Sequence, residues 1–273
     1  MARLLCLDQA TPAQRLKHNA LRDPNRKVRL RNLQVLTRKY AGKRVALNAL
    51  RGVLKSSDPE ARLFALRELG PESLEFMLPV ATDDRDPHVR AVALRRLGSF
   101  AGERLWPIIQ HGLKARHQEE RRAAIVAAGM THHVAMVPRI IAKAEDADPE
   151  TAEAVAHALG VLGDPEAEPT LVKLLGHGSI EVQRAAATAL AVVGTVVAVE
   201  PLLACGEGVF TDGELRRAAS AAVASIRSRL GNVEAGRLSL AEHEKRDGAL
   251  TLAEDAEADA SAPDDDWSHQ SRG

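Results

Sequence analysis

Apolar and polar residues alternate with a helical period in the stretch Asp86 to Gly98, which reads DPHVRAVALRRLG. Val89, Ala93 and Leu97 lie four residues apart, and this spacing places them on one face of an α-helix. The remaining positions on the opposite face are mostly polar. The pattern therefore predicts one amphipathic helix of about three turns.

The ends of this stretch carry the residues that helix termini favour. Asp86 is suited to accept hydrogen bonds from the free backbone amides of the first turn, and Pro87 loses no hydrogen bond at the first helical position. Gly98 stands where a left-handed residue commonly terminates a helix. We therefore expect the helix to begin after Asp86 and to end at Gly98.

Similar stretches recur along most of the chain with separations of 28 to 33 residues. They begin at Asn25, Asp58, Asp86, His117, Asp148, Ser179 and Asp212. Another helical pattern lies between them, and its prolines recur at Pro107, Pro138, Pro169 and Pro201. Neither helix can bury its apolar stripe alone, so neighbouring pairs must stack. The predicted fold is an all-α, right-handed α-solenoid of about seven helix pairs.

The pattern D-P-x-V-R-x-x-A-x-x-x-L-G of Asp86 to Gly98, followed by a turn and an x-P-[LI] helix, resembles a HEAT repeat. The short period is similar to that of the HEAT-like, phycobilin-lyase-type subgroup. The resemblance covers roughly residues 8 to 230. It implies that the first helix of each pair faces outward and that the second lines a concave surface. The helix of the Asp86 type is the second helix, so it is expected inside the curve.

The resemblance also implies a ladder of Asp and Arg side chains between neighbouring repeats. The Asp position is kept at Asp58, Asp86, Asp148 and Asp212, and the Arg position at Arg29, Arg62, Arg90, Arg121 and Arg216. The fifth and sixth units have Ala152 and Gln183 at the Arg position. We therefore expect the ladder to be interrupted in these two units.

On each second helix, the positions two, five and nine residues after the unit's start are not part of the apolar stripe. The residues at these positions predict a concave face that is charged, mixed in sign and poor in aromatic residues. Its candidate partner-binding residues are Arg67, Arg95, Arg122, His157, Arg184 and Arg217. These cations suit a protein surface or an acidic peptide. The alternative is a solvated helix face whose arginines are balanced by neighbouring glutamates.

Catalytic motifs are missing from the sequence, which lacks a nucleophile elbow, a phosphate-binding loop and a dinucleotide fingerprint. His132 and His133 are adjacent but have no third spaced metal ligand. The HEAT-type deoxyhypusine hydroxylases hold iron through repeated His-Glu pairs, whereas this chain has one such dipeptide, His243-Glu244. We predict a non-enzymatic protein- or peptide-binding scaffold without metal or cofactor. A phycobilin-lyase-like enzyme is the alternative.

Charge is distributed unevenly although the formal net charge is zero. Residues 1–60 hold 14 Lys and Arg against 4 Asp and Glu, and residues 232–273 hold 4 against 11. The basic end makes nucleic-acid binding a second alternative. Against it, aromatic residues make up only 3% of the chain. The opposite charges of the two ends predict a mostly monomeric protein with weak, salt-sensitive self-association.

The repeat period stops after Gly231, which predicts a solenoid of residues 1–231 and an acidic, mostly disordered tail of residues 232–273. The tail contains two near copies of one motif, GRLSLAE and GALTLAE. Each copy has two leucines at period two, and these are Leu238, Leu240, Leu250 and Leu252. We predict a tandem motif for a partner. The alternative is a low-complexity tail that contacts nothing.

The two cysteines, Cys6 and Cys205, form no spaced motif, which fits a reducing compartment. The N-terminal apolar run is too short for a signal peptide, and no later stretch is long enough to span a bilayer. We therefore expect a cytoplasmic protein that is not embedded in a membrane.

Overall fold

The computed structural model describes residues 10–100, 102–144, 148–206 and 212–231, and the regular elements in these ranges are helices. The first seven α-helices are α1 (Pro12–Arg22), α2 (Arg26–Lys39), α3 (Arg44–Val53), α4 (Pro59–Glu68), α5 (Leu74–Asp83), α6 (Pro87–Gly98) and α7 (Trp106–Gly112). The next six are α8 (Gln118–Met130), α9 (Val137–Ile141), α10 (Pro149–Leu162), α11 (Glu168–Leu175), α12 (Ile180–Val193) and α13 (Val199–Gly206). The last, α14, spans 213–231.

These helices alternate between a first helix, with an odd number, and a second helix, with an even number, in seven pairs. Each predicted unit start precedes a second helix as its N-cap or as the residue before it. Asp86, for example, accepts a hydrogen bond from the His88 amide at 2.9 Å. The side chains of His117 and Ser179 make no such cap bond. The predicted helix pairs and their register are confirmed.

Close packing between second helices explains the recurring glycine of the unit. A Cβ atom built on Gly98 would lie 2.9 Å from Ala127 Cα, and one on Gly129 would lie 3.0 Å from Ala158 Cα. The first distance is shorter than real Cβ contacts and the second is tighter than most of them, so a side chain at either position would require the neighbouring helix to shift. The same relation joins Gly160 to the next second helix.

The expectation that Gly98 is a left-handed terminator is wrong. Gly98 is the last residue of α6, and the following Ser99 is right-handed, with φ −74°. The left-handed role falls instead to Gly163, which caps α10 with φ 69°. Gly98 is therefore required by the approach of α8 and not by backbone handedness.

The second helices α6, α8, α10 and α12 pack against one another much more extensively than the first helices do. Their mutual faces include small apolar residues that are buried, such as Ala127, Ala158 and Ala189, which lie against Gly98, Gly129 and Gly160. Because small side chains let helix axes approach closely, the second helices form the tightly spaced side of this stack. This agrees with the predicted placement of the second helices on the inner face.

Contacts within the chain group it into two units, Met1–Val223 and Ala224–Gly273. The first contains α1 to α13 and the beginning of α14. The second contains the rest of α14, up to residue 231. Among the residues that the structure describes, no helix combines the length and the apolar character needed to cross a bilayer.

Candidate functional site

In five of the seven units the side chain at the predicted ladder position, four residues after the unit start, donates to a backbone carbonyl six residues earlier and so links the second helix to the loop before it. Arg216 instead donates to the Gly206 carbonyl, ten residues earlier, at 3.3 Å. The five pairs are Arg29 to Asp23, Arg62 to Ser56, Arg90 to Asp84, Arg121 to Ala115 and Gln183 to His177, at 2.6 to 2.9 Å. These bonds satisfy loop carbonyls that no helix can satisfy.

Two ladder arginines also reach the next repeat. Arg62 donates to both oxygens of Asp84 at 2.7 and 2.8 Å, and Arg90 donates to both oxygens of Glu120 at 3.0 and 2.7 Å. The resemblance implied the N-capping aspartates as partners, but neither Asp84 nor Glu120 is an N-cap. Among the described ladder arginines of the first four units, Arg29 alone has an ion pair with an N-capping aspartate, at 3.9 Å from Asp58. The contact between repeats is therefore present, but its acceptor is a loop carboxylate for Arg62 and a helix carboxylate for Arg90.

Gln183 keeps the bond to the loop of its own repeat although it lacks the charge of an arginine. Its amide nitrogen donates to the His177 carbonyl at 2.6 Å, so a neutral side chain replaces the guanidinium in this bond. Ala152, in the preceding unit, has no side-chain donor. The bond between second helix and loop is therefore lost at Ala152 and kept at Gln183.

Hydrogen bonds hold two capping aspartates in their charged form. Burial raises the pKa of Asp58, but the Arg26 guanidinium and the amides of Glu60 and Ala61 together lower it by more, so that it lies below its ordinary value. Burial likewise raises the pKa of Asp148, and hydrogen bonds from the Thr151 hydroxyl and amide together with the charge of Arg122 and a bond from its own amide lower it by more. Both carboxylates are thus structural groups of the inter-helix loops.

Three of the predicted partner-binding arginines form ion pairs with the next second helix. Arg122 pairs with Glu150, and Arg184 pairs with Glu214. Arg95 lies 3.6 Å from Glu119. A residue five or nine positions after the start of one unit thus pairs with the residue two positions after the start of the next unit. The structure places the three arginines on the predicted face, with much of their charge compensated there.

The other three predicted residues are more exposed. Arg67 is exposed and has no ion pair within the described residues. Arg217 is exposed and donates to the Gly213 carbonyl of its own helix at 3.1 Å. His157 lies 3.7 Å from Glu153 one turn earlier. The predicted tail leucines, Leu238, Leu240, Leu250 and Leu252, lie outside the described residues.

A row of exposed aliphatic residues follows these charges along the second helices. Met130, Val161 and Val192 occupy the position thirteen residues after their unit starts and are 44%, 51% and 55% exposed. Each stands four residues after a predicted face position, so it lies on the same side of its helix. The sequence analysis missed this aliphatic row. Its signal was the 31-residue spacing of three apolar residues at otherwise polar positions.

One part of this row borders a shallow groove of about 200 Å³ between α10 and α12. His157 and Val161 line one wall, and Thr188 and Val192 line the other. The floor is formed by Gly160 and Ala189, whose close contact keeps the two helices together. The groove therefore offers an apolar surface with a hydrogen-bonding imidazole at one end.

The adjacent histidines do not behave alike. His132 is exposed and has a φ of 53°. The ring of His133 packs edge-on against Trp106 with centroids 3.7 Å apart, so the two adjacent histidines do not form one exposed pair. Within the described ranges, no group of three His, Cys, Asp or Glu side chains is placed to hold a metal ion.

A family model described as HEAT repeats matches residues 137–224. Residues 137–224 are HEAT repeats. This stretch comprises α9 to α13 and the beginning of α14, and the same alternation of first and second helices extends back to α1. No curated protein matches the chain.

Two solved structures share the arrangement of the HEAT repeats. One belongs to the complex of CpcE and CpcF of phycocyanin lyase from Nostoc sp. PCC7120, with 25% identity and a TM-score of 0.50. That match covers 66% of this chain and 76% of the other. The second is YibA from Escherichia coli, with 16% identity and a TM-score of 0.55, covering 81% and 85% of the two chains. The YibA likeness shows the fold alone.

Proposed function

We propose that this protein is a non-enzymatic scaffold that binds a protein or an acidic peptide along the exposed face of its second helices. The observation that carries the proposal is the aliphatic row of Met130, Val161 and Val192, which repeats at the period of the fold. Apolar residues that recur on an exposed, otherwise polar face are typical of interaction surfaces. A repeated surface of this kind suits an extended partner that contacts several repeats.

Charge on the same face supports an acidic partner. The imidazole of His157 and the guanidinium of Arg217 are exposed beside or near the row. The ion pairs of Arg122 and Arg184 are also exposed on their glutamate side. Exposed pairs contribute little stability, so their arginines can exchange a glutamate for a partner's carboxylate at small cost.

The comparison with the phycocyanin lyase structure supports protein binding in general terms. The HEAT-type chain in that structure is part of a complex of two proteins, CpcE and CpcF. The same similarity also favours the alternative of a lyase-type enzyme. Incubation of the full chain with phycocyanobilin and an apo-phycocyanin subunit distinguishes the two, because only the enzyme yields a covalently coloured subunit.

Selection of phage-displayed dodecapeptides on the full chain tests the proposed surface. We expect the selected peptides to be rich in aliphatic and acidic residues. Binding of a selected peptide, measured by fluorescence anisotropy, should weaken at least tenfold in Val161→Asp, a loss on the order of 1.4 kcal/mol. Leu203→Asp is the matched control, since Leu203 is also exposed, at 42%, but lies on a first helix.

Two results would count against this function. One is a selection that yields no binding peptide. The other is a peptide whose affinity falls equally in Val161→Asp and Leu203→Asp, because the apolar row would then have no special part in binding. Circular dichroism of both variants establishes that the loss is not caused by unfolding.

A further inference from the structure

The first two helix pairs carry a strong positive charge that differs from the compensated face of the later repeats. Residues 10–58 contain 13 Lys and Arg and only two acidic residues, Asp23 and Asp58. Asp58 is already paired with Arg26 at 2.8 Å, and Asp23 accepts a hydrogen bond from the Asn25 amide at 2.8 Å. Little negative charge is therefore left to compensate this part of the protein.

Six of these cations follow α2 and the turn into α3, and we name them the basic stripe. They are Lys27, Arg31, Arg38, Lys39, Lys43 and Arg44. All six are exposed, and none forms an ion pair within the described residues. Lys27, Arg31 and Arg38 are spaced four and seven residues apart, so they lie on one side of α2.

The later second helices differ in this respect. There, an arginine of one repeat meets a glutamate of the next, as Arg122 does with Glu150. The glutamate position is Glu60 in the second repeat, but its partner is Arg26, which is not part of the basic stripe. The basic stripe therefore presents uncompensated charge to solvent.

The linear density of this charge points to one class of partner. The 14 residues of α2 are about 21 Å long, and with the following turn there is on average one of the six charges for roughly every 4 to 5 Å of length. A strand of duplex nucleic acid has one phosphate for about every 3.4 Å of its axis. The two spacings are similar.

Acidic segments of ordinary composition are much sparser. Residues 232–273 of this chain hold 11 acidic residues in 42 positions. Fully extended, they would have on average one negative charge for roughly every 13 Å. Their most acidic stretch, residues 254–266 with seven acidic residues, would have one for roughly every 6 Å. Such a segment would pair fewer charges of the basic stripe than a phosphate backbone would.

The residues around the stripe also indicate how nucleic acid would be bound. Tyr40 is the one aromatic residue in the sequence from 10 to 58, and it is half-buried. Proteins that bind single strands commonly stack bases on aromatic rings, and the stripe offers no such surface. Lys and Arg contacts to phosphate carry no base sequence information. We propose that the basic stripe binds the phosphate backbone of duplex nucleic acid without sequence preference.

The test is fluorescence anisotropy of the full chain with a labelled 20-base-pair DNA duplex of arbitrary sequence. If four phosphates are neutralised, the affinity should fall roughly 100-fold between 50 and 200 mM salt. The triple variant Arg31→Glu/Lys39→Glu/Lys43→Glu should reduce binding at 50 mM salt at least 30-fold. Its matched control is Lys114→Glu/Arg116→Glu/Lys173→Glu, which reverses three exposed charges elsewhere and should leave binding within about threefold.

Several outcomes would overturn this inference. They are no measurable binding of the duplex at 50 mM salt, an equal loss of binding in both triple variants, or tighter binding of a single strand of the same length. Tighter binding of a synthetic peptide of residues 232–273 than of the duplex would also overturn it and assign the stripe to an acidic protein segment. The stripe shares no residue with the aliphatic row, so its failure leaves the peptide experiment unaffected.

Discussion

Arg62 and Asp84 form a two-point hydrogen bond between neighbouring helix pairs, with N–O distances of 2.7 and 2.8 Å. The side chains are only 3% and 6% exposed. The remaining Arg62 amino group donates to the Ser56 carbonyl. One buried guanidinium therefore fastens α4 both to its own loop and to the loop that follows α5.

We expect Arg62→Ala to lower the free energy of unfolding by about 3 to 5 kcal/mol, because it leaves the Asp84 carboxylate buried without a counter-charge. Urea unfolding of the full chain, followed by circular dichroism, measures this loss. Arg67→Ala on the same helix is the control, since Arg67 is exposed, and it should change stability by less than about 0.5 kcal/mol.

Replacing both partners distinguishes the cost of leaving a buried charge unpaired from the cost of losing the hydrogen bonds themselves. Arg62→Met/Asp84→Leu should be more stable than Arg62→Ala, because no buried charge is left unpaired. Equal unfolding midpoints for the wild type and Arg62→Ala would show that the pair contributes nothing.

Gly98→Ala should destabilise the protein by about 1 to 3 kcal/mol, because the added methyl overpacks the contact between α6 and α8. The new Cβ would lie 2.9 Å from Ala127 Cα and 3.2 Å from Ala127 Cβ. Gly178→Ala is the control, since a Cβ there would meet no atom within 4 Å. Thermal unfolding of the two variants checks the difference, and identical melting temperatures would contradict the close approach.

The stability of the protein should decrease in acid, partly through Asp148. Its folded-state pKa lies below the ordinary value, because burial, which raises it, is outweighed by the hydrogen bonds from Thr151 together with the charge of Arg122 and a bond from its own amide. A lowered pKa contributes stability that is present above the unfolded-state pKa and is lost as pH falls through the folded-state pKa. The loss attributable to Asp148 should therefore occur below about pH 4.

Asp148→Asn is the matched variant for this pH dependence, because asparagine also caps helices but does not titrate in this range. Urea unfolding at a series of pH values from 6 to 2.5 should give a shallower decline for Asp148→Asn than for the wild type. Parallel curves for the two proteins would mean that Asp148 contributes no pH-dependent stability.

Local chemistry explains why the sequence located the repeats so well. Asp58, Asp86 and Asp148 are followed by Pro, and an Asp-Pro pair before an apolar stripe defines a helix start without knowledge of any distant residue. All seven predicted unit starts, including the four without this pair, precede the second helices of the structure. The arginines four residues later were likewise correctly expected to make structural contacts.

The partners of those arginines could not be read from the repeat pattern. Arg62 selects Asp84 and Arg90 selects Glu120, two acceptors at different offsets from their unit starts. Which carboxylate comes within reach depends on the loop length and on the stacking of the next pair. Gln183 shows the same limit, because its bond to the His177 carbonyl depends on loop geometry and not on charge.

The sequence by itself determined the helices, their caps and their pairing, because capping and apolar periodicity act over a few residues. Only the tertiary structure decided why Gly98 and Gly129 are glycines, since the contacts with Ala127 and Ala158 come from helices about 30 residues away. It also decided that Arg122 and Arg184 meet glutamates of the next repeat. Both outcomes depend on the distance and rotation between neighbouring helices, which stacking sets and local sequence does not.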